Sequence, residues 1–411
     1  MRVLIVEPDL TGHHAPYLRH MLCGLAELNQ ETIVLSCAGA SQAKQYGIHL
    51  QDVMSGVEWD ESLEPGYDSP REMPKLFETL DTLMKRRQPD QIWIPYADHA
   101  TVHLGMRRMM RRPFGWPPGV EAEGLFFRGT FAYPAPHWRK HVRRIASRFM
   151  LPRANWDVLH FLDSIPYDMM RRLHPDLASH FRLMPDPIEP VTPMEPAEAR
   201  RELGVPEDSN YVGFLGVLYN LVAVDLLLRA FRKAKLKPAD RLLLAGPISD
   251  AVRDHIQQKY SDLLRANRIV MVDRHLDLDE VMLAVMASDV VCTPGPYRMG
   301  SSSFVIRATA AGRPVIVDDF GWAAQTVRRF KIGWPVNVWN SKAFAKVLQS
   351  AFANVGMRTK SPAIERFIRY HSADNFKAHW TARIRERQGL PQDPKYLSWS
   401  WVLGETGAVP V

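Results

Sequence analysis

Six prolines fall between Pro185 and Pro206, in "PDPIEPVTPMEPAEARRELGVP", and no other feature constrains the fold of this chain as tightly. Proline lacks an amide N–H and fixes φ, so the interior of a strand or helix tolerates few of them. The stretch reads as a boundary, and 411 residues are in any case more than one ordinary hydrophobic core organises. Before it and after it the same pattern runs: a short apolar segment, a turn, then apolar residues at helical spacing. That alternation predicts a parallel, doubly wound α/β sheet on each side. The expected division is a first domain over residues 1–190, a linker over 191–205, a second domain over 206–370 and a terminal helix and tail over 371–411.

In the first half "RVLIVEP", "ETIVLSC", "QIWIPYAD", "GLFFRGTFAY" and "WDVLHFLDS" read as strands, and "MPKLFETLDTLMKRRQPD" and the basic "WRKHVRRIASRFMLPRA" as helices. In the second half the strands are "YVGFLG", "RLLLAG", "RIVMV", "DVVCTP" and "RPVIVDD", separated by helices "VDLLLRAFRKA", "DAVRDHIQQKYSDLL", "LDEVMLAVMA" and one that begins with serines. Ligands of such sheets bind beyond the carboxyl ends of the strands, so the two domains are expected to face each other across a cleft.

Apolar residues at 46% and charged residues at 24% are globular values and exclude a disordered or fibrous chain. Cys23, Cys37 and Cys292 are far apart, which argues against a disulfide framework or zinc cluster and for a reducing, cytoplasmic compartment. The N-terminal apolar run is broken by Glu7 and Asp9, and no stretch is long enough to span a bilayer. The formal charge of +7 is uneven: between Thr101 and Arg153 eleven Lys and Arg stand against two acids, Glu121 and Glu123. Such a block suits a solvated face, an anionic membrane surface or an acidic substrate. In "MRRMMRRPFGWPPG" the arginines beside Phe114 and Trp116 favour peripheral attachment to the inner face of a membrane. No nucleic-acid-binding module is recognisable, and nucleic acid is not an expected partner.

Two strings in the first half carry polar groups where strands end. "DLTGHHAPYLRH" places Gly12, His13 and His14 after the first strand, where glycine permits close backbone approach and a histidine can hydrogen-bond a sugar or move a proton. "YADHATVH" offers Asp98, His99 and His103. The His99 to His103 spacing would suit a metal on one helix face, but no third ligand is evident, and Asp98 or His99 is read as orienting an acceptor hydroxyl.

In the second half "YRMGSSSFVIRATAAGRPVIVDD" sets Gly300 and three hydroxyls, Ser301, Ser302 and Ser303, at a helix start, with Arg307 inside the apolar run that follows. Serines there serve as caps; a glycine, several hydroxyls and the positive end of a helix also describe an anion cradle. Arg307 either reaches solvent along the helix or meets an anionic ligand.

Taken together the strings "RRELGVPEDSNYVGFLG", "VDLLLRAF", "LLLAGP", "ASDVVCTP" and "RATAAGRPVIVDDFG", in this order, resemble the GT-B glycosyltransferases, especially the retaining family-4 type, most strongly from Arg200 to Gly333. The resemblance implies a GT-B fold of two Rossmann-like domains, with the terminal helix packing back on the first. It implies a nucleotide-sugar donor held mainly by the second domain, without metal or other cofactor, and a glycan or lipid-linked acceptor. Donor contacts then fall on Gly12, His13, Gly216, Asn220, Arg274, Tyr297, Gly300, Ser301, Ser302, Ser303 and Arg307, with His14, Asp98 and His99 as catalytic candidates. The chain also departs from the family. Met299 and Arg307 stand where it usually carries two glutamates, and Val217 and Val222 where an Arg and a Lys grip the diphosphate. Thr130 and Tyr133 stand near the place of its first-domain histidine. A non-catalytic nucleotide-sugar-binding or scaffold protein and a sugar-nucleotide epimerase are the rival readings.

Overall fold

The computed structural model describes residues 1–64, 71–134 and 138–405, except for the side chains of Arg139, Lys140 and Arg143. The end of the expected tail, past Glu405, lies outside the described residues. The chain forms two compact units, one made of Met1–Pro187 with Ala373–Trp399, the other of Ile188–Ser372 with the segment that begins at Ser400.

The first unit is built on seven parallel strands: β1 (Arg2–Val6), β2 (Glu31–Cys37), β3 (Val57–Leu63), β4 (Gln91–Ile94), β5 (Glu121–Phe126), β6 (Val158–Phe161) and β7 (Phe181–Leu183). Their order across the sheet is β3-β2-β1-β4-β5-β6-β7. Strands β1 and β4 are almost wholly buried, as expected of parallel strands with helices on both faces. Helix Ala373–Arg387 closes one face. Its Trp380 ring meets Trp93 of β4, and Gly24 in helix His14–Glu27 lets Thr381 approach to 3.1 Å of where a Cβ would stand.

The second unit has six parallel strands: β8 (Asn210–Leu215), β9 (Asp240–Ala245), β10 (Ile269–Val272), β11 (Val290–Thr293), β12 (Val315–Asp318) and β13 (Gly333–Val336). Their order is β10-β9-β8-β11-β12-β13. In each sheet the chain works outward to one edge and then returns to the middle to work outward to the other. The loops that follow β1 and β4, and those that follow β8 and β11, therefore diverge and leave a crevice at the strands' carboxyl ends, where such sheets bind ligands.

The two doubly wound sheets expected from the alternating pattern are present, and the differences from it are local. Strands β3, β7 and β13 carry weak signals: β3 is the polar edge "VEWDESL", β7 has three residues, and β13 contains Pro335, which only an edge accepts. Strand β5 stops at Phe126 instead of running to Tyr133, because the next two amides turn onto the Asp98 carboxylate. The helix expected over residues 250–264 breaks at Tyr260, whose hydroxyl donates to Asp225. Within the proline-rich stretch Pro196–Leu203 is a helix, begun by a proline at its first position and ended by Gly204 at φ +76°. Phe114 and Trp116 are both partly buried against the core of this unit. Phe114 packs on Phe77, and the Trp116 Nε1 donates to the Asn155 carbonyl.

Candidate functional site

At the crevice of the first sheet, Glu7 follows β1 directly and is fully buried. Its Oε1 lies 2.8 Å from His14 Nδ1, while its Oε2 has no hydrogen-bond partner. Burial pushes the Glu7 carboxyl up, against the pull of His14. Burial also pulls His14 down, but the Glu7 carboxylate outweighs it and holds the imidazole above its ordinary value. The result is a proton-holding pair at the base of the crevice. Above it the rings form a stack: His14 lies on Tyr96 with centroids 3.5 Å apart, and His13 on Phe127 at 4.3 Å. Tyr96 comes from the loop after β4, so the sheet's switch in direction is what joins the two histidine-bearing strings. Its hydroxyl is buried without a partner. Gly12 has φ +61° with open space about the position of a Cβ, so backbone conformation alone selects glycine there.

The other candidates of this half separate. Both oxygens of Asp98 accept backbone N–H bonds, from Phe127 and Arg128, each at 2.8 Å. Through these two bonds Asp98 fixes the loop after β5. His99 is exposed one residue on. His103 turns inward and stacks on Phe77, and burial lowers its pKa. Among the described residues no group of three or more metal-ligating side chains comes together. Tyr133 donates to Asp163, and Thr130 opens a short 3₁₀ turn beside it.

In the second unit the loop after β8 and the helix after β11 meet at Gly216. Its φ is +102°, and a Cβ there would stand 2.8 Å from the Phe304 ring. A Cβ on Gly246, after β9, would stand 2.2 Å from the Gly216 carbonyl oxygen, so both glycines are needed for the backbones to close. Asn220 caps helix Leu221–Lys233 by accepting from the Ala223 amide at 3.2 Å. Val217 and Tyr219 between them are exposed at 65% and 74%.

The serine helix runs from Ser303 to Ala310, with Ser302 in the cap position. Ser302 is not a side-chain cap: its hydroxyl is buried and has no partner. The first helical bond runs from the Ile306 amide to the Ser302 carbonyl. The amides of Ser303, Phe304 and Val305 therefore stand outside the helix's own ladder, at its positive end. Gly300 holds φ +89°, and Ser303 and Arg307, four apart, share one helix face. Ser301 and Arg307 are both half-buried. Tyr297 adopts φ +55°, a costly conformation for an aromatic residue, held by a 2.9 Å hydrogen bond that its backbone N–H donates to the carboxylate of buried Asp318. Arg274 is paired with Glu280 at 2.5 Å.

Sequence reasoning passed over Glu7, Tyr96, Phe127, Gly246 and Asp318. Glu7 and Asp318 had a usable signal, an acid at the end of an apolar strand run. The aromatic pair had none, since Tyr96 and Phe127 lie on different strand ends.

Residues 196–363 match the model of the family described as glycosyl transferases group 1. The D-inositol 3-phosphate glycosyltransferase of Mycobacteroides abscessus is 26% identical over 213 residues, 50% of this chain and 47% of that protein. The chain spans about half the length of the curated relatives it matches first. A sucrose-phosphate synthase from Thermosynechococcus elongatus superposes with a TM-score of 0.70 at 17% identity, over 95% of this chain and 99% of its own. Anabaena HepE, solved in complex with UDP and glucose, gives 0.61 at 13% identity over 95% and 99%. Two doubly wound sheets and these superpositions give the chain the GT-B fold, and its second unit carries the region that matches glycosyl transferases group 1.

Proposed function

We propose that the protein transfers a sugar from a nucleotide-activated donor to a hydroxyl of a glycan or lipid-linked acceptor, with retention of anomeric configuration and without a metal. The observation that carries this reading is the meeting of Gly216 with the helix led by the buried, partnerless Ser302 hydroxyl, at the switch point of the sheet that matches the family.

The difficult part of such a reaction is the charge that develops on the leaving diphosphate. Amides at a helix start, serine hydroxyls and an arginine stabilise it without reorganising. In this role the Ser303 to Val305 amides and Ser302 hold the phosphates. Arg307 stands in for the cations that Val217 and Val222 do not provide, since a guanidinium binds phosphate bidentately. The departing phosphate can take the acceptor's proton, so no protein nucleophile is required. In the first unit His14, backed by Glu7, orients the acceptor hydroxyl. The stacked faces of His13, Tyr96 and Phe127 offer an apolar wall for a sugar ring. Exposed His99 is assigned to the acceptor side and Asp98 to holding the loop beneath it. The basic segment is assigned an anionic membrane as partner.

The test is incubation with a panel of labelled nucleotide sugars, with and without a lipid or glycan extract. A transferase gives product only with acceptor. Product without acceptor would mean an epimerase, and binding without any product a scaffold, and either would overturn the reading.

A further inference from the structure

Two large aromatic side chains stand in solvent at the carboxyl end of the second sheet. Tyr297, in the loop after β11, is 60% exposed, and Trp339, in the loop after β13, is 51% exposed. Their ring centroids are 6.3 Å apart, with planes inclined at 37°. Phe320, in the loop after β12, meets the Tyr297 ring edge-on at 5.4 Å. Single exposed aromatics are common, but a Tyr and a Trp side by side leave apolar surface that folding does not use.

The backbone holds both rings out at a cost in stability. Tyr297 keeps its left-handed φ of +55° while its N–H donates to Oδ2 of buried Asp318, and the other oxygen of that carboxylate accepts from the Val338 amide at 3.4 Å. One carboxylate at the end of β12 therefore fixes the loops that bear both rings. Trp339 is fixed again by its own N–H, which donates to Asn337 Oδ1 at 3.0 Å, and by Asn340, which caps the helix that follows, Ser341–Ala353. Strained backbone is found at ligand sites, and rings fixed in advance lose little freedom when a ligand arrives.

The polar surroundings select the ligand. Asn337 is exposed and uses its oxygen on the Trp339 amide, which leaves its NH2 to donate. Asp319, next to Phe320, is exposed and paired with Arg328. Aromatic faces bordered by amide, carboxylate and guanidinium groups match a pyranose, whose C–H faces are apolar and whose rim of hydroxyls donates and accepts. Two faces 6.3 Å apart and inclined do not enclose one flat base; they suit successive rings of a chain. Gly300 and the serine helix follow Tyr297 closely in sequence, so a chain over Tyr297 lies beside the phosphate cradle.

We propose that Tyr297 and Trp339 form a platform on which successive pyranose rings of an oligosaccharide acceptor stack. This rests on the reading of the protein as a sugar transferase and narrows its acceptor to a glycan of more than one sugar.

The test is binding of the full chain, without donor, to an immobilised array of linear pyranose oligosaccharides and the matching monosaccharides. Binding is expected to oligosaccharides and not to monosaccharides. For an oligosaccharide so found, calorimetric titration is expected to show affinity about tenfold or more lower in Trp339→Ala, with most of it kept in Trp339→Phe. Tyr297→Asn is expected to lose about tenfold as well, yet to melt no lower than the parent, because asparagine adopts a left-handed φ more readily than tyrosine. A purely structural Tyr297 would give the reverse, a lower melting temperature with full binding. No binding to any oligosaccharide, or full binding by folded Trp339→Ala and Tyr297→Asn, would overturn the proposal. So would a loss of uridine affinity in Trp339→Ala, which would place a nucleobase on the platform. Trp339-dependent glycan binding in a protein that transfers no sugar would overturn the transferase reading alone. Sugar transfer with full glycan binding by both variants would overturn the platform alone.

Discussion

Placing cations at positions 217 and 222 tests the phosphate cradle by gain instead of loss. Val217 is 65% exposed and Val222 47%, so Val217→Arg and Val222→Lys open no cavity and displace no packed neighbour. Val222 is the second residue of helix Leu221–Lys233, where a cation opposes the helix dipole at a cost of about 0.3–1 kcal/mol in the empty protein. An arginine at exposed position 217 changes stability by about 0.5 kcal/mol or less. Against this, a charge-assisted hydrogen bond to phosphate contributes about 1.5–3 kcal/mol, and half-exposed positions belong at the lower end. One contact then tightens a nucleoside diphosphate about tenfold and two about a hundredfold. Uridine, which has no phosphate, gains nothing. Calorimetric titration of UDP and uridine into the parent, both single variants and the double variant reads this directly, and the gain shrinks as salt screens the new charges. A folded double variant that binds UDP no tighter than the parent, or that gains equally for uridine, would show that the Gly216 loop does not face a diphosphate.

Three further outcomes are expected. Arg307→Ala weakens UDP about ten- to a hundredfold while uridine is unchanged, by the same titration; an unchanged UDP affinity in the folded variant removes Arg307 from the grip. Gly246→Ala forces the Gly216 carbonyl to move from 2.2 Å, lowering stability in thermal unfolding by about 1–3 kcal/mol and weakening UDP more than uridine; a variant that melts and binds like the parent contradicts this. Buried Glu123 is pushed up to about 8 by desolvation, and desolvation keeps His160 well below its ordinary 6.5. Above about pH 6.5 His160 is neutral whether folded or unfolded, and only Glu123 titrates. The folded chain keeps the Glu123 proton that the unfolded chain has lost, so stability falls with rising pH, by about 1.4 kcal/mol per unit, until about pH 8. Glu123→Gln flattens that slope in urea titrations at successive pH values, and an unaltered slope would refute the assignment.

The sequence by itself determined what local chemistry can write. Apolar runs such as "RVLIV" and "VVCT" announced buried parallel strands, and the alternation with helices announced doubly wound sheets. The strings from Arg200 to Gly333 pointed to the family that the comparisons support. They also put Gly12, His14, Gly216 and the serine helix at strand ends, because glycines and small polar residues after an apolar run mark the place where a strand stops. Tertiary structure alone decided which of those ends meet. His14 stacks on Tyr96 because β1 and β4 are neighbours in the sheet though 85 residues separate Val6 from Gln91. It likewise turned Asp98 onto two amides, paired Glu121 with Arg383, buried Glu123, and packed Phe114 and Trp116 partly against the core. Each of these depends on how an element is rotated and what lies across from it. Sequence spacing fixes which residues share a face of one helix or strand; only the packing of other elements decides whether that face meets core, ligand or solvent.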